Sequence, residues 1–153
     1  MAKADGVIRI VDHMLHHKDL EIHEREDQGV VILDLHGKVE MGRGDIALRE
    51  FVQTLLEQGN RQLVLNMAQV SAVDTAGAGV LLFLSDEYRA QGGKLVLLKV
   101  DKVHAEIYEV ARLETVMEFC PDEIDAVNSF FPDRAVAHYD ILEYVESHED
   151  DKK

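Results

Sequence analysis

The chain of 153 residues has one cysteine, two prolines and a deficit of positive charge. It also has no apolar run approaching the roughly 18 residues that cross a bilayer. Each shortage excludes something. Cys120 stands alone, outside any CxxC spacing, so no internal disulfide can form, and a buried structural thiol is expected. The N-terminal stretch, MAKADGVIRIVDHMLHH, carries charges and histidines where a signal peptide needs a clean apolar segment. A cytoplasmic protein with no membrane insertion is therefore expected. Lys and Arg total 16 against 30 Asp and Glu, a net charge of -14. That excess repels nucleic-acid phosphates and anionic lipid surfaces, and it suits a protein partner with a basic face.

The usual cofactor signatures are missing as well. There is no GxxxxGK[ST] loop, and Gly77-Ala78-Gly79-Val80-Leu81-Leu82 lacks the last glycine of the dinucleotide pattern. His13 and His17 are four apart and could share a helix face as metal ligands, yet no HExxH accompanies them. A solvated or partner-facing segment is the simpler expectation for His13, His16 and His17. The remaining histidines, His23, His36, His104, His138 and His148, show no triad or ligand spacing. Neither a metal nor a cofactor is implied. Arg43-Gly44-Asp45 reads as a chance tripeptide whose aspartate caps a helix.

What the chain does have is regular alternation of strand and helix patterns from about Leu20 to Phe131. Leu20–His23 alternates as a half-buried strand, and Val30–Leu35 is a stronger one. A short turn joins them, so they should be antiparallel. A helix follows Asp45, with Leu48, Phe51, Val52, Leu55 and Leu56 on one face and Gly59-Asn60 as its stop. Leu63–Met67 is a buried strand, followed by a short loop and a helix capped by Asp74. Val80, Leu81, Leu84 and Tyr88 face inward from that helix, and Gly92-Gly93 ends it. Lys94–Val100 is the next strand. Val103, Ile107, Val110, Ala111 and Leu113 mark another helix, and Val116–Phe119 a last short strand. Pro121 opens a final helix with Ile124, Val127 and Phe131 inward. The result is an α/β fold: a mixed, mostly parallel sheet with an antiparallel first strand pair and four helices packed against it.

Residues 1–19 read as an N-terminal extension, 20–131 as the domain and 132–153 as an acidic C-terminal extension. Tyr139, Leu142 and Val145 recur at helical spacing in that tail, suiting a loosely docked or partner-induced helix, with disorder expected over the last half-dozen residues.

The segment Asn66 to Leu81 carries the chemistry. Asp74 as N-cap places Thr75 in the first helical turn, where N–H groups and the positive dipole end favour negative charge. Ala72, Ala76, Gly77, Ala78 and Gly79 around it are small, so another protein's backbone can approach. From spacing alone, Asp74 and Thr75 also read as plain capping residues, with the glycines allowing tight helix–sheet packing.

Val73-Asp74-Thr75-Ala76-Gly77-Ala78-Gly79-Val80-Leu81-Leu82 resembles the Asp-Ser/Thr-Ser-Gly segment of the STAS domain family, and within it of stand-alone bacterial anti-sigma factor antagonists. Gly37-Lys38-Val39-Glu40 is similar to that family's Gly-Glu-Leu-Asp strand end. Leu63–Met67, Gly92-Gly93 with its strand, and Val103–Val110 resemble other family segments. The resemblance spans about residues 20 to 131. It implies that Thr75 is a phosphoacceptor and that the chain switches partners. The unmodified form would bind an anti-sigma factor of the serine/threonine kinase type and let go once phosphorylated, and a phosphatase would reset it. No enzymatic activity of the chain itself is implied. The partner-facing residues implied are Asp74, Ala76, Gly77, Gly79, Glu40, Gly42 and Arg43, on a monomer or weak homodimer. Three departures stand out: Ala76 replaces the second hydroxyl, the loop Met41–Gly44 is glycine-rich, and Arg112 stands where many members have glycine. A scaffold or accessory module of a stress-signalling assembly, or of a lipid or anion transport system, would suit the same fold.

Overall fold

The computed structural model describes residues 8–101, 105–110 and 112–136. The helical spacing of Tyr139, Leu142 and Val145, and the histidines His104, His138 and His148, lie outside them.

The backbone order is β1 (Ile8–His16), β2 (Leu20–Asp27), β3 (Val30–Val39), α1 (Asp45–Glu57), β4 (Gln62–Val73), α2 (Thr75–Ala90), β5 (Lys94–Leu98), α3 (Ala105–Val110), a 3-10 turn (Leu113–Thr115), β6 (Glu118–Cys120) and α4 (Glu123–Asn128). All six strands form one sheet in the order of the chain. β1–β2 and β2–β3 are antiparallel, and β3–β4, β4–β5 and β5–β6 are parallel. The mixed α/β sheet expected from the sequence is therefore present, with one addition. Residues 8–16, read as part of an extension, supply an antiparallel edge strand. His13 lies within that strand and His17 beyond it, so the two do not share a helix face.

Alternation along the strands sends successive side chains to opposite faces. Leu33, Leu35, Leu63, Leu65, Leu95 and Leu97 point one way, into a large core with Leu48, Val52, Leu81, Leu84 and Tyr88 of α1 and α2 and with Tyr108 of α3. Val30, Ile32, Val64, Val96, Leu98 and Cys120 point the other way, under Ala126 and Val127 of α4. β5 ends at Leu98 rather than Val100, because Lys99 takes a left-handed backbone (φ 55).

Four local expectations are corrected. α1 is entered through Gly44 in a left-handed conformation (φ 90) with no side-chain cap. Asp45 is its first residue instead, and its carboxylate accepts the Gly42 N–H at 3.0 Å. No loop separates β4 from α2: the strand continues to Val73, and Asp74 alone makes the turn. Pro121 lies outside α4, which Asp122 caps by accepting the Asp125 N–H. Ile124 is 73% exposed rather than inward. The family departure at Arg112 also has a physical meaning. Its φ of 60 is a left-handed conformation that glycine adopts at no steric cost.

Candidate functional site

β3 and β4 run in parallel and finish at the same end of the sheet, Val39 opposite Val73. The chain leaves β3 through the turn Glu40–Gly44 into α1, and leaves β4 through Asp74 into α2. Two parallel strands thus deliver the Glu40–Gly44 turn and the Asp74 junction to one end of the sheet.

Asp74 is extended (φ -105, ψ -175) and caps α2. Its Oδ1 accepts the Gly77 N–H at 2.8 Å and its Oδ2 accepts the Met41 N–H at 3.0 Å. One carboxylate therefore caps a helix and pins the neighbouring loop. The loop closes on itself: Glu40 and Arg43 exchange two backbone hydrogen bonds, of 2.9 and 2.8 Å. Desolvation would push the Asp74 carboxyl up, but the N–H groups of Gly77, Met41 and Ala76 outweigh it and hold the carboxyl below its usual range. Asp74 is ionised at neutral pH.

Thr75 is the first residue of α2 and is exposed. Gly79 and Phe83 follow on its side of the helix at intervals of four, and both are exposed. Gly79 has open space where a side chain would sit. Gly77 is different. It is buried, and a Cβ there would collide with the carbonyl of Val39. Its role in the fold is to let α2 lie against the end of β3. Ala76 and Glu40 are half-buried, and Gly42 and Arg43 are exposed. The structure therefore gathers the sequence-predicted residues at one end of the sheet, with Gly77 facing inward.

Sequence reasoning missed three exposed apolar side chains in these elements: Met41 (73%), Ile46 (51%) and Phe83 (42%). Met41 is the second residue after β3, and its N–H is tied to Asp74. Ile46 is the second residue of α1. The one available signal was that Phe83 falls off the inward stripe of Leu81, Leu84 and Tyr88. Among the described residues, no group of three or more His, Cys, Asp or Glu side chains is placed to hold a metal. Nor is any described helix long and apolar enough to cross a membrane.

Several solved structures share this architecture. SpoIIAA of Bacillus in its phosphorylated form matches with a TM-score of 0.56 and 20% identity, over 71% of this chain and 98% of that one. An anti-sigma factor antagonist from Mycobacterium paratuberculosis matches with a TM-score of 0.66 and 15% identity, over 75% of this chain and 97% of that one. The murine anion transporter Slc26a9 matches with a TM-score of 0.51 and 24% identity, over 65% of this chain but 17% of the transporter. At these identities the likeness is one of fold. The family model for the STAS domain matches residues 21–126, the stretch from β2 into α4. The chain belongs to the STAS domain family.

Proposed function

We propose that this protein is an anti-sigma factor antagonist that works by partner switching, with Thr75 as the phosphoacceptor. The observation that carries the proposal is the setting of that hydroxyl. Thr75 is exposed at the mouth of α2, directly after an ionised Asp74 that ties the Glu40–Gly44 turn to the start of that helix. The unmodified surface is uncharged at Thr75 and Gly79, and Met41, Ile46 and Phe83 offer apolar area to a partner. Phosphorylation adds about −1.5 to −2 charges at neutral pH. Buried against a partner without a matching cation, that charge costs several kcal/mol, and each 1.4 kcal/mol is about tenfold in affinity. Asp74 beside it adds like-charge repulsion. The switch needs no catalysis by this chain.

Among the proteins of like fold, SpoIIAA is known in both phosphorylated and unphosphorylated forms. The partner is an anti-sigma factor of the serine/threonine kinase type, and a phosphatase restores the binding form. Ala76 leaves no neighbouring hydroxyl as a second acceptor.

The test is a pulldown with the candidate kinase. Thr75→Ala is expected to remain bound in the presence of ATP. Thr75→Glu is expected to lose binding, and intact mass should show one phosphate on the wild type and none on Thr75→Ala. Equal binding by both variants overturns the switch. Copurification with a transport assembly instead would favour the accessory-module function.

A further inference from the structure

The face of the sheet away from α1, α2 and α3 is covered in a different manner. Its cover is α4, six residues long, and the segment that follows through Val136. Ala126 and Val127 are fully buried there, while Phe130, Phe131 and Val136 are partly buried. The segment itself contributes two fully buried side chains to this cluster, and a helix of this length has no stability of its own.

Cations supply the rest. Arg25 on β2 donates from Nη1 and Nη2 to the two carboxylate oxygens of Glu123 at 3.0 and 2.6 Å. The same guanidinium donates to Asp34 on β3 at 2.7 and 3.1 Å. Asn66 on β4 donates to Asp34 at 2.7 Å and fixes it from the other side. Further along, Lys94 Nζ donates to the Ser129 carbonyl at 2.6 Å and lies 4.7 Å from the Phe130 ring centre. Arg134 donates to Gln28 at 3.0 Å and stacks 3.9 Å over Phe131. Of these, Arg25 to Glu123, Lys94 to Ser129 and Phe130, and Arg134 to Gln28 tie the segment to the rest of the domain through charged groups, while Asp34 and Asn66 hold Arg25 in place.

The geometry points to α4 and the residues after it forming an ionic strap, latched by Arg25 through Glu123, that opens as a unit while the rest of the sheet stays folded. Opening uncovers Val30, Ile32, Val64, Val96 and Leu98. Asp27, two residues along β2 from Arg25, lies on the same face of the sheet as the latch. It is buried on the same strand as Arg25, and its carboxyl is pushed up first by burial and then by Glu123 beside it. An ionised Asp27 works against the latch, because it sets a like charge next to Glu123. Arg25 outweighs it with two hydrogen bonds. Local opening of such units at a cost below global unfolding is general in proteins.

Native-state hydrogen exchange on the full chain tests this, read by mass spectrometry for peptides within 122–136 and, separately, for β4 and α2. In the wild type the strap peptides should exchange first. Arg25→Gln should speed their exchange by roughly tenfold, the worth of a lost charged hydrogen-bonded pair, with β4 and α2 unchanged. Asp27→Asn should slow it, since an amide beside Glu123 donates a hydrogen bond and removes a charge. Wild-type strap peptides that exchange together with β4 and α2 overturn the proposal. So does Asp27→Asn that speeds strap exchange. Should Arg25→Gln fail to fold, the wild type and Asp27→Asn still decide the matter.

Discussion

The two faces of this sheet are held by different forces. One face meets three helices through a continuous apolar core in which Leu33, Leu35, Leu65, Leu81, Leu84 and Tyr88 are fully or nearly fully buried. The other meets one short helix over a smaller apolar cluster, reinforced by a set of cations that each serve two partners. The first face fixes the geometry around Thr75, because α2 is packed along its length. The second can loosen without disturbing it. Burial is non-directional and cooperative, whereas ion pairs depend on pH and on each partner separately.

The largest expected effect breaks the comparison if it fails. Leu81→Ala removes a fully buried side chain from the first face and should cost about 2–5 kcal/mol in urea unfolding. Val127→Ala on the second face should cost about 1–2 kcal/mol and act mainly on the strap. Equal costs would mean that both faces are held alike. Gly77→Ala is next. Its methyl meets the Val39 carbonyl and should cost about 1–3 kcal/mol, measured the same way. It should also weaken partner binding by shifting the start of α2.

Acid sharpens the contrast. Arg25 first, against opposing desolvation, holds the Glu123 carboxyl below its ordinary range. Asp34 feels desolvation upward, outweighed by hydrogen bonds from Arg25 and Asn66, and is also held low. Both carboxyls therefore contribute stability above their unfolded pKa values, and it is lost as pH falls through their lower folded ones. Asp27 is raised, so its contribution runs the other way. The strap should tighten slightly in mild acid as Asp27 takes up a proton. It should then open at lower pH as Glu123 and Asp34 do so, before α2 loses structure. Amide NMR over a pH series follows both stages.

The smallest expected effects are gains. Tyr108 is fully buried, and its hydroxyl has no partner among the described residues. Tyr108→Phe should leave stability unchanged or raise it by about 1 kcal/mol in thermal melts. Arg112→Gly relieves a left-handed backbone and should add about 0.5–1 kcal/mol, less the entropy that glycine gains in the unfolded chain.

Much of the fold could be read in advance because its signals are local. Helix α2 announces itself through Asp74, the stripe Leu81, Leu84 and Tyr88, and the stop at Gly92. Asp74 as cap and Thr75 in the first turn follow from spacing. Edge strand β1 was missed because its residues mix apolar, charged and histidine side chains without clean alternation. The inward assignment of Ile124 failed because helical spacing alone does not say which face of a six-residue helix meets the sheet.

By itself the sequence determined the order of elements from β2 onward, the start of α2 and the identity of the hydroxyl at its mouth, since capping and periodicity act over a few residues. Tertiary structure alone decided that Asp74 also holds Met41, 33 residues away, and that Arg25 reaches Glu123 across 98. Those contacts exist only once the sheet has brought distant strand ends and faces together. No local pattern encodes a distance between residues that far apart in the chain.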